Sequence, residues 1–491
     1  MTSDPRSTEF AGQLAARLAG YGARPCIEFN GTWYSGDQIT GYHAAIEEIL
    51  RGVGPTEPVA LVVRNRIPHA AAILGFIATR RPVSMVYSYQ APTAIAADIE
   101  SIGPAAVLAD PQDWTPEVAA AAERVGAAGV VLGSGGPALA APRTGLPAVA
   151  DPGLDILSSG TTGPPRRVHL PTAVLRHTVL SMTLGSAPAP GDPPALVFWP
   201  FGSVGVCQLL AGAYSGQRIV LLEKFTVEDW VRAVREYRIR WAGAQPTILR
   251  MILAADVPPD ELASLEYLSG GGGPLEPELQ AEFETRYGIP LLWGYGATEF
   301  AGTVCAWTPA LREQFGVRPG TVGRPLPGVE VRIVDPDSHI EVPTGEHGLL
   351  SARVEILGPR WLTTTDIASV DADGIVSIHG RADGAINRGG FKVLPERVRT
   401  ALLAHPAVHD ACVVAVPDER VGQVPFAAVE LLPGSTVTEE ALKSAVREVL
   451  PAQAVPVAVA ILDELPRNAA MKVRLDAVTG LYPNTLRRNE T

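Results

Sequence analysis

The stretch LSSGTTGPPRRV, Leu157 to Val168, sets Gly160 and Gly163 among the hydroxyls of Ser158, Ser159, Thr161 and Thr162. Glycines let a backbone approach a ligand closely, successive N–H groups make an anion nest, and hydroxyls add donors, so this loop suits a phosphate. It is not a Walker loop, because no Gly-Lys-Ser/Thr follows at the required spacing. Taken alone it reads equally as a flexible turn. The run GYGATE, Gly294 to Glu299, offers an aromatic face at Tyr295 between Gly294 and Gly296, then Thr298 and Glu299, a hydroxyl and a carboxylate suited to a magnesium-bound phosphate. WLTTTD, ending at Asp366, supplies a carboxylate able to accept hydrogen bonds from vicinal hydroxyls. GRAD, Gly380 to Asp383, and INRGGFKV, from Ile386, follow it.

Elements of alternating type must hold these segments in place. CIEF-NG-TWYS reads as a hairpin on Asn30-Gly31, a pair suited to a type I′ turn. PVALVV, the helical PHAAAILGFIAT and PVSMVY read as strand, helix and strand, which implies parallel strands with right-handed crossovers. Such sheets bind ligands where the carboxyl ends of strands enter loops. GSGGPALAAPRTGLPAVADPG and SAPAPGDPP read as surface loops. Beyond GRADGAINRGG the pattern changes: ERVRTALLAH and EEALKSAVREVL read as helices, ACVVAV and VPFAAVEL as strands. The expected architecture is therefore α/β. A large N-terminal domain of parallel-rich sheets with helices, residues 1–382, precedes a small mobile α/β domain, residues 383–491.

The bulk numbers remove several classes. The chain has 491 residues, 46% of them hydrophobic, which is ample for packed cores. A formal charge of -12 argues against a nucleic-acid binder and against an anionic membrane as partner. Cys26, Cys207, Cys305 and Cys412 are scattered without ligand spacing and read as buried thiols of a reducing compartment. His405 and His409 are separated by Pro406 and read as structural rather than as metal ligands. The polar start lacks a signal peptide, and no apolar run reaches the length of a membrane span. A cytoplasmic protein is expected.

These segments, with others in the same order, resemble the superfamily of acyl-CoA synthetases, peptide-synthetase adenylation domains and luciferases. The family loop (S/T)SG(S/T)TGxPKG matches from Ser158, its GG-A-PL segment matches Gly271 to Leu275, and its YGxTE matches Tyr295 to Glu299. GTVGRPLPG (from Gly320) and TGEHGLL (from Thr344) match two structural motifs, and the final PRTxxGKxxR falls on the run Pro466 to Arg474. The resemblance covers nearly the whole chain and implies a two-step reaction on a carboxylic acid. The acid attacks Mg-ATP to give acyl-AMP, and coenzyme A then takes the acyl group.

Residue by residue, the resemblance puts the adenosine phosphates against Ser158–Gly163 and the adenine against Gly272, Gly273, Pro274 and Gly294–Gly296. It puts the ribose on Asp366 and Arg381, and magnesium on Glu299 and Thr161. Lys472 is the charge-stabilising catalytic residue, with Glu299 and Thr298 beside it. Asp383 is the hinge. Gly389 and Gly390 border the coenzyme A thiol path, where side chains would obstruct a narrow arm; as a lone pair they read also as a turn. The acid's pocket falls on Trp199, Phe201, Val204, Ala244 and Ala297. Those residues are mostly small or apolar, which favours a bulky apolar acid.

The chain departs from the family at several of these places. Arg166 stands for the loop lysine, Arg167 for a glycine, Met471 for the glycine before Lys472, Thr365 for the glycine before Asp366, and Gly202 for the His of PLFHxxG. An arginine in place of a glycine is expected to crowd the β- and γ-phosphates, so the adenylation step is expected to be weak or lost while thioester formation survives. A separate adenylating enzyme would then supply acyl-AMP. The alternatives are a complete two-step ligase, an adenylation enzyme loading a carrier protein, and a non-catalytic acyl-adenylate binder.

Overall fold

The computed structural model describes residues 5–146, 150–157, 167–182, 191–202, 204–382, 384–388, 391–418, 420–468 and 471–482. The chain forms two compact units. The first runs to Gly272 and takes in Ala281–Gln314; the second holds Gly273–Gln280 and the chain from Phe315 onward.

The first unit contains three parallel-rich sheets. Its largest orders the strands Gly136–Ala141, Ala128–Gly133, Ala106–Ala109, Val59–Val63, Val83–Tyr87, Gly153–Leu157 and Arg167–Pro171. The five inner strands are parallel and the outermost strand on each side is antiparallel. Val59–Val63 and Val83–Tyr87 are buried along their whole length, as strands covered on both faces must be. The helix Ile67–Thr79 makes the crossover between them, as its sequence predicts. In the second sheet Ala195–Val197, Ile219–Leu221 and Pro25–Phe29 are parallel, and Thr32–Ser35 returns antiparallel. The expected hairpin is present: Asn30 and Gly31 take φ 51° and 81°, the paired left-handed values of a type I′ turn. The third sheet aligns Trp241–Ala244, Tyr267–Gly270 and Leu291–Ala297 in parallel, with Gly302–Ala306 antiparallel to the last.

One segment read as a loop is a strand. Gly136–Ala141 pairs antiparallel with Ala128–Gly133. Its glycine, proline and alanines hid it, because they lack the β-branched side chains that mark strands, and an edge position tolerates them. Of the other expected loop, residues 186–190 lie outside the described residues.

In the second unit, Val329–Val334, Gly348–Val354, Leu362–Val370 and Val376–Arg381 form a wholly antiparallel sheet. A further sheet orders Phe391–Val393, Ile386–Arg388, Gly422–Leu431 and Val408–Asp418, with Val459–Leu462 parallel to Gly422–Leu431. The period of two sorts the long pair into faces. Ala411, Val413, Ala427 and Val429 meet Val398 and Leu402 of the helix Pro395–Leu403 and Leu442 and Val446 of the helix Glu439–Val449. Cys412, Val414, Phe426 and Ala428 face the other way, toward Leu465 and Val478. The helices Pro395–Leu403 and Glu439–Val449 and the strands Val408–Asp418 and Gly422–Leu431 fall where their sequence patterns place them.

The four cysteines are buried and unpaired, and burial pushes the thiols of Cys26, Cys207 and Cys412 up to about 12, so none is a ready nucleophile. His409 lies 3.6 Å from Glu430, and His405 accepts from the Ala407 N–H at 3.2 Å, the structural roles expected of them. Among the described residues no cluster of three or more His, Cys, Asp or Glu could hold a metal, and no helix is long and apolar enough to cross a membrane.

Candidate active site

In the first unit, three of the segments singled out by sequence end on adjacent parallel strands. Ala244, Gly270 and Trp293 lie in register across Trp241–Ala244, Tyr267–Gly270 and Leu291–Ala297, so Ala244, Gly272, Gly294, Tyr295, Gly296 and Ala297 gather at the carboxyl ends of one sheet. The glycines are needed for packing as well as for a ligand. A Cβ on Gly270 would stand 2.0 Å from the Trp293 ring and 2.6 Å from the Ala244 carbonyl. Beyond Ala297 the chain turns through Thr298–Phe300, a single 3₁₀ turn that leaves Glu299 exposed while Phe300 is buried.

The segment expected to form the acid's pocket is tied down by a residue that sequence reasoning missed. Asn65 is buried, donates from Nδ2 to the Trp199 carbonyl at 2.8 Å, and accepts from the Phe201 N–H at 3.0 Å. An asparagine in the loop after Val59–Val63 carries no sequence signal for this, since its partners lie more than a hundred residues on. Trp199, Phe201 and Ala244 are all buried, and Trp199 Nε1 lies 2.8 Å from where a Cβ on Gly243 would sit. Val204 opens the helix Val204–Ser215. Gly202, in place of the family's histidine, is explained by its neighbour: a Cβ there would lie 2.1 Å from the Tyr87 ring. The Tyr87 side chain, stacked on Tyr89 at 4.8 Å, fills the room a residue at 202 would use.

The loop expected to cradle the phosphates, Ser158 to Arg166 with Ser159, Gly160, Thr161, Thr162 and Gly163, lies outside the described residues, but both its feet are defined. Leu157 pairs with Arg167 at the open end of the antiparallel strands Gly153–Leu157 and Arg167–Pro171, and the helix begins only at Thr172. One five-residue strand, Arg167–Pro171, thus stands between the loop and that helix. Arg167, expected to crowd the phosphates, is engaged at the foot of the loop: its guanidinium donates to both oxygens of Asp98, on the helix Pro92–Ile102, at 2.7 Å and to the Met85 carbonyl at 2.9 Å.

In the second unit Asp366 and Arg381 are directly opposed across the antiparallel strands Leu362–Val370 and Val376–Arg381. Facing residues of such a pair share one side of the sheet, with Cβ atoms about 4.5–5.5 Å apart. Thr365 has a defined job: its hydroxyl accepts from Arg381 Nη2 at 2.8 Å, and its carbonyl accepts from the Ala382 N–H at 2.7 Å. Thr364 Oγ1 accepts the Asp366 N–H at 3.1 Å. Gly273 and Pro274 belong to this unit and open the segment that carries Glu276. Asp383, Gly389 and Gly390 lie outside the described residues.

Lys472 sits in a turn closed by an antiparallel bridge between Arg467 and Val473. Met471, in the place of the family's glycine, takes φ 59°, the left-handed value that glycine adopts without cost. Burial pushes the Lys472 ammonium below the usual lysine range. Beneath the turn, Arg467 pairs with Asp410 at 2.7 Å and Glu430 at 3.3 Å, and Asp410 pairs in turn with Arg399 at 2.7 Å.

Comparison with known proteins accords with this arrangement. Residues 14–357 match the family described as AMP-binding enzyme, and residues 398–472 match the AMP-binding enzyme C-terminal domain. The chain is 29% identical over 504 residues to 4-coumarate–CoA ligase 3 of Oryza sativa subsp. japonica, covering 93% of this chain and 89% of that protein. Its fold is similar to the anthranilate CoA ligase AuaEII in complex with anthranoyl-AMP, with TM-score 0.82 at 20% identity over 98% of each chain. It is also similar to the amide bond synthetase McbA of Marinactinospora thermotolerans, with TM-score 0.78 at 26% identity over 97% of this chain and 100% of that one.

Proposed function

This chain belongs to the AMP-binding enzymes, and from that premise we propose that it is a complete acid–thiol ligase, converting a bulky apolar carboxylic acid to its coenzyme A thioester through acyl-AMP. The reading rests above all on Asp366 opposite Arg381, with Thr365 steering the guanidinium. A carboxylate and a cation side by side suit the two hydroxyls of a ribose.

Tyr295 and the glycines at the sheet's carboxyl end take the adenine. We assign the acid pocket to Trp199, Phe201, Val204, Ala244 and Ala297; Trp199, Phe201 and Ala244 are buried and apolar, which favours an aromatic or similarly bulky acid over an amino acid. Glu299, an exposed carboxylate, is a hard oxygen donor of the kind magnesium takes alongside substrate phosphates, and Thr161 would join it. The magnesium ion, when bound, neutralises phosphate charge. Lys472 stabilises the negative charge that develops as the acid's oxygen bonds to the α-phosphorus and pyrophosphate leaves. The C-terminal domain, residues 383–491, then turns about Asp383, withdraws Lys472, and brings Gly389 and Gly390 beside the incoming thiol. The thiolate attacks the acyl carbonyl and AMP departs. A cytoplasmic location, where coenzyme A and ATP abound, fits this chemistry.

The ion pair of Arg167 with Asp98 favours intact adenylation over the loss expected from sequence. A second reading, thioester formation alone from acyl-AMP supplied by another enzyme, keeps the support of Arg166 in the loop and of Met471 before Lys472. The test is to supply a hydroxycinnamic or benzoic acid with Mg-ATP, or its preformed adenylate, each with coenzyme A, following pyrophosphate and the thioester mass. Pyrophosphate release within the ordinary enzyme range, about 1–10³ s⁻¹, supports the two-step ligase. Thioester from the adenylate alone would establish the second reading. Acyl transfer to an amine or a carrier protein, without dependence on free coenzyme A, would overturn the acceptor.

A further inference from the structure

One side chain closes the turn that presents Lys472. Asn468 Oδ1 accepts the Lys472 N–H at 3.0 Å, and the Asn468 N–H donates to the Lys472 carbonyl at 2.8 Å. The Asn468 carbonyl also accepts the Met471 N–H at 2.9 Å. Both backbone groups of the lysine are therefore held by a single residue. The turn needs holding. Met471 enters it at φ 59°, a left-handed conformation that is disfavoured for a residue bearing a side chain, so local preference alone would not select it. The neighbouring Arg467, 8% exposed and fixed by Asp410 and Glu430, reaches the Met471 carbonyl at 3.4 Å and gives the bracket a rigid base.

We infer that Asn468 is a positioning residue for Lys472, its side-chain carbonyl fixing the direction in which the lysine leaves the backbone. This rests on the reading of Lys472 as the adenylating lysine. An ammonium at the end of a four-carbon chain is steered by the orientation of its Cα–Cβ bond. A displacement of about 1 Å at a reacting centre can cost about a hundredfold in rate.

The experiment compares wild type, Asn468→Ala, Asn468→Asp and Lys472→Ala in two assays: pyrophosphate release from acid plus Mg-ATP, and thioester formation from supplied acyl-AMP plus coenzyme A. Asn468→Ala is expected to lower kcat for pyrophosphate release about 10- to 100-fold with KM for ATP little changed, and to leave the thioester assay within about twofold. Asn468→Asp keeps the accepting oxygen and is expected to recover most of the loss. Equal losses in both assays would mean a merely structural role and overturn the inference, as would failure of Asn468→Ala to unfold cooperatively or an aspartate variant no better than alanine. If Lys472→Ala is slow and Asn468→Ala is normal, only the positioning role falls. If Lys472→Ala matches wild type, or wild type releases no pyrophosphate, the role given to Lys472 falls and this inference with it.

Discussion

Thr365, Met471 and Arg167 each stand where the related family has glycine, and the structure gives each a different consequence. Thr365 gains a function, since its hydroxyl orients Arg381. Arg167 is absorbed by Asp98. Met471 takes a left-handed φ of 59°, which a glycine would adopt without strain, and bears that strain. The sequence marked all three positions, but only spatial partners reveal which departure is compensated. At the same scale, the state of Lys472 has a measurable consequence. Burial places its ammonium below the usual lysine range. In the role proposed for Lys472 it is the protonated form that offsets transition-state charge, so adenylation should hold steady at low pH and fall as pH rises through that lowered value. Thioester formation from supplied acyl-AMP should lack this falling limb. Lys472→Arg, whose guanidinium stays charged, should be slower but lose the limb. A limb unchanged in that variant would assign the titration to another group.

Among the elements, the long strands and amphipathic helices were legible because burial shapes their sequences: a continuous apolar run in Val408–Asp418, which is covered on both faces, and a helical period in Glu439–Val449. Arg167–Pro171 was not. It is short, carries two basic residues and a proline, and is a strand through its pairing with Gly153–Leu157 and its side-chain anchors. Those anchors are Arg167 to Asp98 and His169 to Asp155 at 2.7 Å, with Ser84 donating to Asp155 at 2.6 Å. Asp98→Ala should therefore destabilise the protein by about 1–3 kcal/mol, the cost of removing the charged partner of a largely buried guanidinium. The urea midpoint should fall without a change in slope. Because the two groups serve one another, Asp98→Ala combined with Arg167→Gly should cost little more than either alone. Costs that simply add would show that the pair does not hold the foot of the loop.

For the whole molecule, the order of the segments along the chain was enough to indicate the fold, since each marks the end of a strand or a turn that the architecture requires. The association of distant pieces was not legible. Gly273–Gln280, read with the adenine segment, belongs with the second unit, where buried Glu276 pairs with Arg399 at 2.5 Å; nothing near either residue in sequence announces the other. Asp383 follows from resemblance alone, and it bears the proposal with the widest reach. The two family matches leave residues 358–397 between them, a span that contains Asp383. Just before it, Ala382 is tied to the Thr365 carbonyl; just after it, the strand Ile386–Arg388 begins. A rotation between two working arrangements would thus be confined to a very short stretch of backbone. Proline fixes φ near -65° and restricts the residue before it, so Asp383→Pro should arrest the enzyme in one arrangement. Either pyrophosphate release or thioester formation from supplied acyl-AMP should then stay within a few-fold of wild type. The other half-reaction, and the overall conversion of acid to thioester, should fall by about a hundredfold or more. Both half-reactions and the overall rate declining together would point to misfolding, and all three persisting would put the pivot elsewhere in the chain.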